Sequence, residues 1–276
     1  MSKITDAIAK TMRSAVVEPT SIQETIIRSR GRGTLRKARS ILPISPAQIE
    51  TNSEILYTNR VVTTESKREV ISSYKMLRTR LLHAMRSNKW QVLAVTSPVS
   101  GDGKTLTAVN LAIVIAKEGG QNVFLIDLDL RNPSINRCLG IDDDKRSISR
   151  FYAEDRELSE LLIAIEQNGL FIIGNSGSGI ENSSELISSQ RSEALLSELK
   201  SLDPSGIFIF DLPPVLSTDD VLAFAPLLDA ALVVVSEGKT IREHIIKTLD
   251  LLNESKVEIA GVVLNRAGEG NVDAYY

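Results

Sequence analysis

The chain has 276 residues, 42% of them hydrophobic and 24% charged, with a formal net charge of -3, the make-up of a globular protein with one substantial α/β domain and room for an appendage. A single cysteine, Cys138, excludes an intramolecular disulfide, no stretch reaches the roughly 18 apolar residues of a membrane span, and the amino terminus lacks the apolar core of a secretion signal, so a cytoplasmic location is expected. The charge is uneven: residues 1–60 carry ten Lys and Arg against five Asp and Glu.

Residues 1–60 read as a basic, largely irregular or helical extension, because "RSRGRGTLRKARS" and "ILPISPAQ" mix charge, Gly and Pro in the manner of a linker. Within it, Ile4, Ala7, Ile8 and Met12 share one face of a short amphipathic helix. The basic run over 26–40, with Arg28, Arg30, Arg32, Arg36, Lys37 and Arg39, reads first as a solvated linker, and its charge would also suit anionic lipid, nucleic acid or an acidic partner. Nothing else points to nucleic acid, and none is expected as a partner.

Residues 61–276 read as a single domain. A helix is expected over 66–86, with Val70, Ile71, Tyr74, Leu77, Leu81 and Leu82 on one side. From Trp90 onward short apolar runs alternate with helical segments. The runs at 90–96, 122–127, 170–174, 206–211, 230–235 and 259–265 are strands, and helices fill 104–118, 155–167, 184–200, 219–228 and 240–255. That alternation predicts an α/β fold with a doubly wound, mostly parallel sheet. His83 and His244 fall on helices and suggest no metal site.

The first of these strands runs into "TSPVSGDGKTLTAVNLA", a phosphate-binding loop between strand and helix. Gly101 and Gly103 let backbone N–H groups turn inward toward phosphate oxygens, Lys104 reaches the β- and γ-phosphates, and the Thr105 hydroxyl ligates Mg²⁺. Pro98 stands where the strict pattern has its first Gly. "VFLIDLDLRNPSI" then delivers Asp127 and Asp129 on one side of an extended chain, an arrangement that calls for a nearby cation, with Arg131 available to pair with them or with phosphate. "GIFIFDLPPVLSTDD" ends a buried strand at Asp211, placed to hold the metal, and Pro213 and Pro214 stop the ladder. Carboxylates, Lys and Mg-ATP together suit phosphoryl transfer.

From about Ile71 to its end the chain resembles the bacterial tyrosine kinases of exopolysaccharide and capsule assembly, of the stand-alone cytoplasmic kind. "TSPVSGDGKTLTAVNLA", "FLIDLDLRNP" and "FDLPPVLSTDD" stand in the order of that family's Walker A, A′ and B motifs. The resemblance implies ATP and Mg²⁺ as cofactors, with Ser100, Gly101, Asp102, Gly103, Lys104, Thr105 and Leu106 around the nucleotide, and Thr105, Asp127 and Asp211 on the metal. Lys104, Asp127 and Asp129 would be catalytic, the carboxylates activating the attacking tyrosine hydroxyl. "NSSELISS" (182–189) and "GVVLNR" (261–266) resemble two further family stretches, the second near the base.

Autophosphorylation of the tail tyrosines Tyr275 and Tyr276 is implied in the same way, as are a membrane adaptor of the polysaccharide chain-length-determinant type, homo-oligomerisation and recruitment to the inner face of the membrane. Ser72, Lys75 and Arg78 occupy positions where the family carries its Glu-Arg-Arg oligomerisation pattern. Two other functions share the site: a Min/Par-type regulatory ATPase, whose additional signature lysine near the start of Walker A aligns here with Val99, and an ATP-binding scaffold that phosphorylates nothing.

Overall fold

β-Branched and aromatic runs too apolar to face water on either side form the sheet. The computed structural model describes residues 41–165, 169–176, 180 and 182–267. The amphipathic pattern at 4–12, the basic run over 26–40 and the tail tyrosines lie outside the described residues. The strands are β1 (Ala47–Ile49), β2 (Val92–Thr96), β3 (Val123–Asp127), β4 (Ile163–Ile165), β5 (Leu170–Ile173), β6 (Ile207–Asp211), β7 (Ala230–Ser236) and β8 (Glu258–Asn265), in the order β1-β4-β5-β3-β6-β2-β7-β8. From β5 to β8 every neighbouring pair is parallel. β4 runs antiparallel to β5, and β1 parallel to β4.

The helices are α1 (Ser53–Thr58), α2 (Arg68–Asn88), α3 (Lys104–Glu118), α4 (Ile135–Leu139), α5 (Ile148–Tyr152), α6 (Leu158–Leu161), α7 (Ser183–Ile187), α8 (Gln190–Leu202), α9 (Asp220–Phe224) and α10 (Arg242–Glu254). α3 is buried along most of its length, from Thr107 to Ala116, because the sheet covers one side and α2 the other. On the sheet, Phe124 stacks on Phe171 and on Phe208 of the two neighbouring strands, with ring centroids 5.2 Å apart in both pairs. The chain enters at β2, crosses to β3, returns to β6 between them, then moves to β7 on the far side of β2. Such a reversal leaves a crevice at the carboxyl ends of the strands, where doubly wound sheets bind ligands.

Within residues 1–60, read as a largely irregular or helical extension without a strand pattern, 47–49 form β1 and 53–58 form α1. β1 has three residues, too few for a periodic signal, and exists through its pairing with β4. α1 is fixed by Asn52, whose side chain accepts from the amides of Glu54 and Ile55. The helix expected over 155–167 is cut to α6, opened by a reciprocal cap between Glu157 and Glu160, and after Leu162 turns extended, Ile163 and Ile165 run into β4 instead. The helix expected over 184–200 divides into α7 and α8 at Ser188 and Ser189, whose hydroxyls bond back to Glu185 and Leu186 carbonyls.

α2 docks on α3. Tyr74 packs beside Thr107 and Asn110; burial raises its pKa, and hydrogen bonds from those two side chains partly offset the rise. Arg78 pairs with Glu118 at 2.7 Å and reaches the Val114 carbonyl at 3.3 Å, so it is engaged within the chain, while Ser72 and Lys75 are exposed. Asn110 ties the segment before α2 to this pair: its Oδ1 accepts from the buried Val62 amide at 2.7 Å and its Nδ2 donates to the Arg60 carbonyl at 3.3 Å. Asn110→Ala leaves that amide without a partner and should cost about 1–3 kcal/mol in urea unfolding; an unchanged midpoint would show that the segment is held by its apolar contacts alone.

Candidate active site

Three parallel strands end at one place. β6 lies between β2 and β3, in a register that sets Asp211 beside both Val95 and Asp127. The chain leaving β2 turns through residues 97–103 into α3, with Gly101 at φ +78° and Gly103 at φ +94°. Both are left-handed conformations that favour glycine. A Cβ on Gly103 would also stand 2.1 Å from Asn265 Nδ2. No side chain caps α3, so the N–H groups of its first turn are open to an anion.

Lys104, buried at the start of α3, donates to Asp129 Oδ2 at 2.8 Å and reaches Asp211 Oδ1 at 3.4 Å. Thr105 donates its hydroxyl to Asp211 Oδ2 at 2.6 Å. Asp127 is fully buried behind them, and its carboxylate accepts from three backbone amides: Asp129 on Oδ1, Ser134 and Ile135 on Oδ2. Burial would lower the pKa of Lys104, but the charges of Asp211 and then Asp129 outweigh it and raise the value. Asp127 is pushed up to about 8, by burial first and then by Asp211. Asp211 is raised by burial, against the pull of Lys104 and Thr105.

Three carboxylates therefore face one ammonium, and the set has room for further positive charge. The donors are all hard oxygens, which suits Mg²⁺. Among the described residues no three acidic, His or Cys side chains converge into a ready metal cage. Mg²⁺ does not need one, since it keeps waters and takes one or two protein oxygens beside substrate phosphates. Thr105 and Asp211, already in contact, are the residues that would hold it.

The other expected nucleotide residues are distributed around the loop. Asp102 is buried and turned outward: Oδ1 accepts from the Thr240 hydroxyl at 2.9 Å and Oδ2 from the Val99 amide at 3.4 Å. The Ser100 carbonyl accepts from Lys239 Nζ at 2.6 Å. Leu106 packs its side chain against the core. Asn265, at the end of β8, donates to the Asp102 carbonyl at 2.8 Å. The turn after β7 and the end of β8 thus brace the phosphate loop from outside, a role for Lys239 and Thr240 that the sequence reading missed. "VVVSEGKT" offered a signal, a polar turn at the carboxyl end of a strand.

The P-loop on β2, the carboxylates at the ends of β3 and β6, and this brace define a P-loop NTPase. The ParA family model, described as NUBPL iron-transfer P-loop NTPase, matches residues 88–270, and the chain belongs to that family. Its relatives are more particular: they are bacterial tyrosine-protein kinases. The chain is 28% identical over 207 residues to the tyrosine-protein kinase YwqD of Bacillus subtilis, covering 75% of this chain and 85% of that protein. It is 28% identical over 262 residues to the putative tyrosine-protein kinase EpsB of Ralstonia nicotianae, covering 94% of this chain but 33% of EpsB. Among solved structures it is similar to the kinase domain of VpsO, at 28% identity and a TM-score of 0.64, covering 73% of this chain and 97% of that one.

Lys104→Met strips the buried carboxylates of their counter-charge. A raised carboxylate pKa contributes stability that is full below the ordinary carboxylate range and is lost as the pH rises through the folded value, here about 8 for Asp127. The variant should therefore unfold more readily than the parent in the absence of nucleotide, by about 3 kcal/mol or more near pH 8 and by less near pH 5. A deficit independent of pH would mean that Lys104 does not neutralise these groups. Gly103→Ala should abolish binding of a fluorescent ATP analogue while the fold, read by circular dichroism, persists.

Proposed function

We propose that the chain is an ATP-dependent protein-tyrosine autokinase of the bacterial type, which regulates polymerisation and export of an exopolysaccharide or capsule. The observation that carries this reading is the seat of Lys104 between Asp129 and Asp211, with Thr105 on Asp211, in a chain whose relatives are named tyrosine-protein kinases. Val99, where Min/Par-type ATPases carry their extra lysine, supports the kinase reading over a positioning ATPase.

In this mechanism the loop amides around Gly101 and Gly103 and the first turn of α3 bind the β- and γ-phosphates of the substrate ATP. Lys104 exchanges its carboxylate partners for phosphate oxygens, which frees Asp129. Mg²⁺, held through Thr105 and Asp211, would neutralise charge on the β- and γ-phosphate oxygens. Asp127, fixed by its three amide donors, orients the carboxylate pair. Asp129 accepts the proton of the acceptor tyrosine as the phenolic oxygen bonds to the γ-phosphorus. The bond from that phosphorus to the β–γ bridging oxygen breaks, and ADP leaves.

The acceptors in this reading are Tyr275 and Tyr276 of a second copy, reached in a homo-oligomer. Tyr74 and Tyr152 suit the role less well, since both are packed, the latter with its hydroxyl 2.7 Å from Ser192, while Tyr57 on α1 is exposed. Among the described residues no helix is long and apolar enough to cross a membrane. A membrane adaptor of the chain-length-determinant type would bring the kinase to the inner membrane face, with the basic run over 26–40 as a second contact.

Incubation of the purified chain with Mg-ATP, with and without the adaptor, should place phosphate on Tyr275 or Tyr276 by mass spectrometry and none in Lys104→Met. Binding or hydrolysis of ATP with no phosphotyrosine under either condition would replace the kinase reading by an ATPase or a scaffold.

A further inference from the structure

Two residues after Asp129 the chain sends out Arg131, and the way this guanidinium is held is not explained by the reaction as written. Its Nε donates to Ser183 Oγ at 2.8 Å, and its Nη2 stands 3.9 Å from Asp220 Oδ1. Ser183 and Asp220 are fully buried, whereas more than a third of the Arg131 side chain is exposed. The three residues come from separate parts of the chain. Arg131 follows the end of β3, Ser183 opens α7, and Asp220 opens α9, beyond the prolines that end β6. The backbone joins them too, since the Ile180 amide donates to the Leu130 carbonyl at 3.0 Å.

A buried carboxylate next to Val221 and Phe224 is unfavourable unless a cation answers it. Arg131 is that cation, yet at 3.9 Å the pair is not closed into a hydrogen bond, and neither Asp220 oxygen makes a well-formed one. An arginine serving only to neutralise Asp220 would close on it with its paired N–H groups. Here Nε is tied by a hydroxyl, while Nη2 stands toward Asp220 at a distance that does not use it up. That leaves N–H donors, in a fixed plane, on a side chain two residues beyond Asp129, the carboxylate that contacts Lys104, and against Asp220, which feels the charge of Asp129.

We propose that Ser183 and Asp220 are positioning residues that seat Arg131 against the phosphoryl group in transfer, so that its free N–H donors meet the negative charge that grows on the γ-phosphate oxygens. Arg131 is then a catalytic residue and the other two act through it. This rests on the phosphoryl-transfer reading of the site. It assigns a function to "NSSELISS" and to the second Asp of "STDD", both outside the loop that binds nucleotide.

The test uses the full-length chain with Ser183→Ala, Asp220→Asn and Arg131→Lys. Each is titrated with a non-hydrolysable Mg-ATP analogue and with Mg-ADP plus aluminium fluoride, a mimic of the planar phosphoryl group. The seat predicts analogue affinities within about 2-fold of the parent and a loss of about 10-fold or more for the fluoride complex. Ser183→Ala should add nothing in the Arg131→Lys background, because lysine has no Nε for the hydroxyl to hold. Fluoride-complex affinity equal to the parent in both Ser183→Ala and Asp220→Asn would overturn the seat, as would an equal loss for both ligands. Because the binding readout needs no acceptor, a chain that discriminates as predicted but never forms phosphotyrosine sinks the kinase reading and leaves the seat standing.

Discussion

Everything at the carboxyl edge of this sheet is organised by an imbalance of charge. Asp127 and Asp211, which end neighbouring parallel strands, and Asp129, two residues beyond β3, are withdrawn from water, and among the described residues Lys104 is the ammonium they share. Hydrogen bonds from the backbone to Asp127 and from Thr105 to Asp211 ease the strain without removing it. Such a site stays folded without ligand because Lys104 lies on the carboxylates. It favours a divalent cation with a polyphosphate because together they supply positive charge to the acids and an anion to the lysine.

The fold provides the rigidity that this imbalance requires. β6 is hydrogen-bonded on both edges and buried throughout, so Asp211 cannot swing away from Asp127. α3 is packed on almost every side, which fixes the direction of its amino terminus and with it the phosphate loop. Outside the loop, Thr240 and Asn265 hold Asp102 by its side chain and its carbonyl, and Lys239 holds Ser100. A loop that must present bare N–H groups inward has few internal bonds of its own, and the neighbouring strands supply them.

Much of this was legible in the residues. β2, α3, β3, β6, β7 and α10 lie within two residues of the apolar runs and helical patterns that predict them, since the strands are apolar runs buried along their whole length and the two helices span several turns. Lys104, Asp129 and Asp211 could be placed together because Asp211 ends a strand, Asp129 follows one by two residues and Lys104 opens the helix after the phosphate loop. β1 and β4 escaped because three residues make no recognisable run and they exist through pairing; α1, α4 and α5 escaped because five or six residues are barely more than one helical turn. Ser183 and Asp220 escaped for another reason: a serine and an aspartate far apart in sequence meet only through the packing of α7 on α9. The signal was present in "STDD", where one of two adjacent acids turns inward, but the residues alone do not say which.

The bond from Asn265 to the Asp102 carbonyl has a bearing on where the chain can be shortened. The carboxyl terminus is usually the first place trimmed from a protein, on the view that tails are dispensable. Here the last strand ends with the side chain that braces the nucleotide loop, and Arg266, directly after it, donates its amide to the same Asn265 side chain. A cut after Arg266 removes both tail tyrosines and leaves the brace whole. A cut two residues earlier takes away the brace, and the loss of nucleotide binding that follows could be mistaken for a requirement for the tail.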